Sequence, residues 1–228
     1  CGFPHHAASA YIARLVEKGF KVAICEQVED PKSARGIVRR DVIRVITPGL
    51  VLDEENLEAG ENNYLASVVH LDGAFGLAFV DLSTGEFQAG EFVGREALVS
   101  ALGALEFREL LISASFPDAV LRKILEDHLP AGSMRTIGEE LFEPGRARDA
   151  LERELDAGIA GKSKITDHAA AAVAAGVVLN YVRDTQMTRA SHISEIKWYA
   201  PEHYLLIDET ARRNLEIFFT IQDGSRAG

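Results

Sequence analysis

Several things are scarce in these 228 residues, and each scarcity removes a class of protein. Two cysteines, Cys1 and Cys25, can build neither a disulfide framework nor a four-cysteine metal site. Cys25 follows the apolar run Val22-Ala23-Ile24 and is expected to be a small buried hydrophobe. No apolar run reaches the ~18 residues a membrane-crossing helix needs, so no membrane span is expected. The opening Cys1-Gly2-Phe3-Pro4-His5-His6 carries neither the positive region nor the apolar region of a secretory signal. The expected compartment is therefore the cytoplasm. Positive charge is also scarce: 24 Lys and Arg stand against 35 Asp and Glu, for a net charge of −11. Taken over the whole chain, that balance argues against a nucleic-acid partner.

What is present is the composition of a globular α/β protein, 47% hydrophobic and 26% charged. The charge is unevenly spread. Residues 1–50 contain Arg14, Lys18, Lys21, Lys32, Arg35, Arg39, Arg40 and Arg44 against five acidic side chains. This stretch is therefore +3, and the other 178 residues carry −14. Only the N-terminal stretch has the sign to face a phosphate backbone.

Periodicity divides the chain further. Ser9 to Lys18 reads as a capped helix with Ile12, Leu15 and Val16 on one face and Gly19 as its stop. Lys21–Glu26 and Val42–Ile46 read as strands, with a loop over 29–36 between them. The acidic segment 53–63 reads as a linker. After it come three β-rich runs, Tyr64–Leu71, Phe75–Ser83 and Glu86–Phe92, separated by the turn signals Asp72-Gly73 and Thr84-Gly85. Helix and strand then alternate: helix over Arg95–Glu106, strand Glu109–Ser113, helix Pro117–His128, strand Met134–Ile137 and a charged helix over Gly145–Asp156. Three antiparallel strands followed by αβαβα predict a mixed five-stranded sheet flanked by helices, as in the ribonuclease H-like fold. Asp167–Asp184 is an Ala/Val/Leu-rich helix, apolar around most of its circumference, and should be buried between layers. Glu195–Tyr199 and Tyr204–Asp208 read as strands joined by a turn at Ala200-Pro201-Glu202, with a last helix over Thr210–Phe219.

Candidate chemistry is sparse. Gly161-Lys162-Ser163 has the ending of a phosphate-binding loop, but Asp156 stands where that loop needs glycine, and a charged helix precedes it. It reads as a solvated loop. His5 and His6 are adjacent, so on a strand they would face apart, and no Cys or carboxylate stands at ligand spacing. Ser113 and Ser115 lack the Gly-x-Ser-x-Gly elbow of a hydrolase. Asp81, with Glu86 beyond the next turn, is the one carboxylate placed like the strand aspartate of a Mg²⁺-dependent, ribonuclease H-like nuclease. Capping of the turn Ser83-Thr84-Gly85 explains it equally well. The basic run from Lys32 to Arg44 offers flexible cations, which is all that phosphate contact requires.

The order of several short motifs is more specific than any one of them. Gly2-Phe3-Pro4-His5-His6-Ala7, Tyr11-Ile12-Ala13-Arg14-Leu15-Val16, Val22-Ala23-Ile24-Cys25-Glu26-Gln27, Asp30-Pro31 and Val45-Ile46-Thr47-Pro48-Gly49 follow one another. So do Asn62-Asn63-Tyr64-Leu65-Ala66, Asp81-Leu82-Ser83-Thr84-Gly85-Glu86-Phe87, Asp184-Thr185-Gln186 and Thr210-Ala211-Arg212-Arg213-Asn214-Leu215-Glu216. The series resembles the MutS family of DNA mismatch-repair proteins over essentially the whole chain. The resemblance implies the end of a mismatch-binding domain over 1–52, a linker over 53–63, a ribonuclease H-like connector over 64–193 and the start of a core domain over 194–228. The Phe-x-Glu motif with which such proteins wedge into a mismatch is not found in the matching place. The resemblance leaves backbone contacts to DNA at Gly2, Pro4, His5, Gln27, Pro31, Lys32 and Arg40. It implies mismatched double-stranded DNA and MutL as partners, and a homodimer for the full-length protein. ATP and Mg²⁺ are expected on an ATPase domain that this sequence does not contain, so the expected reading is a non-catalytic fragment with no cofactor of its own. Cys1, where the family usually has a small residue, and the second half of the connector depart from the pattern.

Overall fold

The computed structural model describes residues 8–30, 36–50, 62–130, 132–154, 162–186, 193 and 195–200. Its N-terminal part is a helix α1 (Ala8–Glu17) followed by an antiparallel two-stranded ribbon, β1 (Val22–Gln27) and β2 (Arg40–Ile46). One side of the ribbon packs on α1: Val16 and Ile46 are buried, with Ile12, Val22 and Ile24 partly buried against them. Among the described residues, the other side is largely exposed. Leu15, which the helical spacing put on the inner face, is 39% exposed, because the ribbon is too narrow to cover it. Cys25 is exposed as well, which corrects the expectation of a buried thiol. The register slips between Ile24 and Cys25. Among the described residues, no second layer covers the ribbon at Cys25.

The second part is built around one mixed six-stranded sheet. Its strands are β3 (Tyr64–Leu71), β4 (Ala74–Asp81), β5 (Glu86–Val93), β6 (Phe107–Ser113), β7 (Met134–Ile137) and β8 (Lys197–Trp198), in the spatial order β7-β6-β3-β4-β5-β8. The β3-β4 and β4-β5 pairs are antiparallel, and β6, β7 and β8 join in parallel. Asp72 at φ 51° and Gly73 at φ 82° make the turn between β3 and β4, the positive-φ pair that matches the twist of a tight hairpin. Helices α2 (Arg95–Gly103) and α3 (Ala119–His128) cover one face, and α4 (Pro144–Glu154) and α6 (Ala169–Gln186) cover the other.

Alternation along the strands sorts the core into these two layers. Leu65, Val69, Val80, Phe87 and Leu111 point to α4 and α6, whereas Val68, Leu77, Phe79, Leu110 and Ile112 point to α2 and α3. Both faces are dry, so the strands read as continuous apolar runs instead of alternating ones. Each such side chain contributes roughly 1.5–3 kcal/mol through burial. Helix α6 is buried nearly all round, as its composition requires. It comes so close to β4 that a Cβ at Gly76 would lie 2.0 Å from the Ala170 carbonyl oxygen. Its N-terminus is held by Glu91 on β5, which accepts from the Ala170 N–H at 2.9 Å.

Two expectations for this part are corrected. The sheet has six strands where five were predicted, because Lys197–Trp198 pairs with β5. Burial decides that pairing: the Tyr199 N–H donates to Ala89 O at 2.8 Å, and the Tyr199 ring stands edge-on to Phe79 at 5.2 Å. The predicted partner strand 204–208 and the helix 210–219 lie outside the described residues. The segment read as a solvated loop continues as a short helix, α5 (Lys162–Thr166), anchored by the fully buried Ile165; Gly161 lies outside the described residues.

Candidate nucleic-acid interface

Of the seven residues expected to touch DNA, Gly2, Pro4, His5, Pro31 and Lys32 lie outside the described residues. Gln27 and Arg40 are described, and the ribbon brings them together. They are direct register partners, at the last position of β1 and the first of β2. Both are exposed. The ribbon places them at its open end because β1 runs outward and β2 returns, with the Val28 N–H donating to Arg39 O at 3.0 Å to close the neck. Arg39 is also exposed and pairs with Asp41 at 3.4 Å, a contact worth little in water. A polar amide beside an exposed guanidinium can donate to phosphate oxygens without reading a base.

Asp81 occupies a different chemistry from the one a nuclease needs. The residue is 1% exposed, at the end of β4. One carboxylate oxygen accepts from the Ser83 N–H at 2.8 Å and the Ser83 hydroxyl at 2.6 Å. The other accepts from the Asn63 N–H at 3.0 Å. Glu86 accepts from the Tyr64 hydroxyl at 2.7 Å and the Gln88 amide at 2.6 Å. Both carboxylates are thus spent on turn and strand-end contacts, and no third acid joins them in a metal-binding cluster among the described residues. Ser113 and Ser115 are likewise structural: Glu139 accepts from the Ser113 hydroxyl at 2.6 Å and from the Ser115 N–H. These bonds hold the Glu139 carboxyl below its ordinary value.

Sequence reasoning missed the joint between the ribbon and the sheet. Glu109 on β6 is fully buried. One of its oxygens accepts from the Tyr181 hydroxyl at 2.7 Å and Arg135 Nε at 3.0 Å, and the other from the Gly49 N–H at 3.2 Å. The second arm of Arg135 donates to the Gly19 carbonyl, at the end of α1. Lys21 lies over the Tyr181 ring at 4.6 Å. Partial burial lowers the pKa of Lys21, Glu109 opposes that shift and Arg135 adds to it. Burial and the Glu109 charge together push the Tyr181 hydroxyl up. Leu50, just past the ribbon, is 1% exposed and belongs to the α4/α6 side of the sheet's core, and its carbonyl accepts from Gln186 at 3.3 Å. The only sequence signal was an acid inside the apolar strand Glu109–Ser113, which periodicity cannot assign to a partner 26 or 72 residues away.

Comparison with known proteins fits this geometry. The model for MutS domain I matches residues 1–55, and that for MutS domain II matches residues 63–194, more than half of the chain. The chain belongs to the MutS family. Among curated relatives, a DNA mismatch repair protein MutS from Myxococcus xanthus is 44% identical over 229 residues, and one from Pelotomaculum thermopropionicum is 41% identical over 231. A third, from Chlorobium limicola, is 40% identical over 232 residues. The alignments cover 99–100% of this MutS-family chain but 26% of each relative, so the chain spans about a quarter of their length. The ribbon with α1 is the domain I part, and the six-stranded sheet is the domain II part up to β8, which begins just past the matched residues. No helix among the described residues is long and apolar enough to cross a membrane.

Proposed function

We propose that this chain is the DNA-contacting end and the connector of a cytoplasmic mismatch-recognition protein. In this reading residues 1–52 touch the duplex backbone through Gly2, Pro4, His5, Gln27, Pro31, Lys32 and Arg40. Residues 64–193 form a ribonuclease H-like connector, a reading supported by the strand order β7-β6-β3-β4-β5 with β4 as the antiparallel member. The connector relays the state of DNA and nucleotide and docks MutL. The full-length protein works as a homodimer, with ATP and Mg²⁺ bound by a domain outside this sequence. The observation that carries the proposal is the match of two MutS domain models, in order, to a chain whose first 50 residues are net positive while the rest is net negative.

Fluorescence anisotropy on matched and G·T-mismatched duplexes across a salt titration tests this reading. Weak binding, equal for both duplexes and lost as salt rises, is the expected result, because phosphate contacts release counterions and the wedge motif is absent. A strong preference for the mismatch would overturn it. For docking, replacing the exposed acids Glu96, Glu126 and Asp127 in the full-length protein is expected to weaken MutL recruitment while sparing mismatch binding. Unchanged recruitment would remove the α2–α3 face from consideration.

A further inference from the structure

The joint behind the ribbon has a property that neither part needs for its own fold. Glu109 belongs to a central strand of the sheet, yet only part of its hydrogen bonding stays within the sheet layer. One oxygen reaches the Gly49 N–H of the turn that ends the ribbon. The other holds Arg135, whose free arm reaches back to the carbonyl where α1 stops. One carboxylate therefore fixes the N-terminal part at two points, Gly19 and Gly49, which lie at opposite ends of the segment carrying β1 and β2. Two fixed points define a direction where one would leave a pivot. The fit is close: a Cβ on Gly49 would lie 2.8 Å from the Glu109 Cβ, so the turn is seated directly on that side chain. At Gly19 the contact is backbone against backbone, with a built Cβ 3.4 Å from Gly132. Few apolar side chains back this arrangement. Val16 and Ile46 are the buried ones that the ribbon and α1 share, and they pack on each other.

We propose that the buried carboxylate of Glu109 is a latch that sets the orientation of the N-terminal ribbon on the connector. It is thereby a positioning residue for the DNA contact at Gln27 and Arg40. The inference rests on the DNA-contact reading for its purpose but not for its mechanics. Glu109→Gln keeps the shape and removes the charge, so the hold on Arg135 weakens, the amide –NH2 has no acceptor in the Gly49 N–H, and the ribbon is left to Leu50, the Lys21–Tyr181 contact and the backbone contact at Gly19. An ion pair is replaced by a hydrogen bond in which only the Arg135 side is charged, and the Coulomb attraction between the two residues is lost.

The test is a distance distribution between the exposed native Cys25 and a Val120→Cys label on α3, measured in the 228-residue chain with Cys1→Ser. The parent is expected to give one narrow distance. Glu109→Gln is expected to broaden it at least twofold while the connector's near-ultraviolet spectrum is unchanged. Arg135→Lys keeps the charge beside Glu109 but lacks the arm to Gly19, and it too is expected to broaden the distribution. Should Glu109→Gln unfold the connector, Arg135→Lys alone decides. A narrow, unshifted distance in Arg135→Lys, or in a folded Glu109→Gln, would overturn the latch. Because no DNA is present, that failure would leave the DNA-contact reading standing, and a parent chain that does not bind DNA although Glu109→Gln releases the ribbon would do the reverse.

Discussion

The two parts of the molecule solve the burial problem differently. The domain II part closes its sheet between two helical layers, so strands such as β4 are buried on both faces. The N-terminal ribbon has one helix on one face and keeps Tyr11, Phe20, Val28, Ile37 and Ile43 exposed. Two strands and a helix cannot enclose a core, and such a piece is marginal by itself. The ribbon is tied to the sheet domain at Leu50, at the Glu109 joint and at Lys21 over Tyr181. The difference teaches that the part carrying the positive charge is the part held least by its own core.

The largest effect is expected in the six-stranded sheet. Phe79→Ala empties a fully buried site among Tyr64, Phe107 and Tyr199 and should cost about 3–5 kcal/mol, read by urea unfolding. A loss under about 1 kcal/mol would show that the sheet repacks easily. Asp118→Ala comes next. This residue caps α3 by accepting from the Leu121 N–H at 2.9 Å and forms a two-armed pair with Arg95. About 1–2 kcal/mol should be lost. The same contacts hold the Asp118 carboxyl below its ordinary value of 3.8. A lowered carboxyl stabilises the fold above the unfolded value, and that contribution disappears as pH falls through the folded value. Asp118 and Glu139 should therefore both promote acid unfolding below about pH 4, and Asp118→Asn with Glu139→Gln should flatten the dependence there. An unchanged acid limb would contradict their role. Smallest of all, Ile43→Ser on the open ribbon face should change stability by less than about 0.5 kcal/mol. A large loss would mean the ribbon has a core of its own.

The sequence made the six-stranded sheet and its helices legible because their signals are local. Asp72-Gly73 fixes a hairpin, and the Ala-rich run fixes a buried helix. The ends of β3 and β7 match the predicted ones residue for residue. What stayed hidden depends on distant packing. Trp198 and Tyr199 join β5 more than 100 residues after it, where a turn signal pointed to a nearer partner. Glu109 looks like an anomaly in a strand until Arg135, Tyr181 and Gly49 surround it. In the candidate interface, charge counting points to the N-terminal stretch, but the pairing of Gln27 with Arg40 depends on a register that a bulge shifts. Cys25 was misjudged for a related reason, since a β-rich run says nothing about whether a second layer covers it.

The most direct test of this division of labour is amide hydrogen exchange on the chain with and without a duplex at low salt. Added protection confined to residues 1–46, with 64–186 unchanged, is the predicted result. Protection centred on the connector strands or on α2 and α3, with the ribbon unaffected, would contradict it.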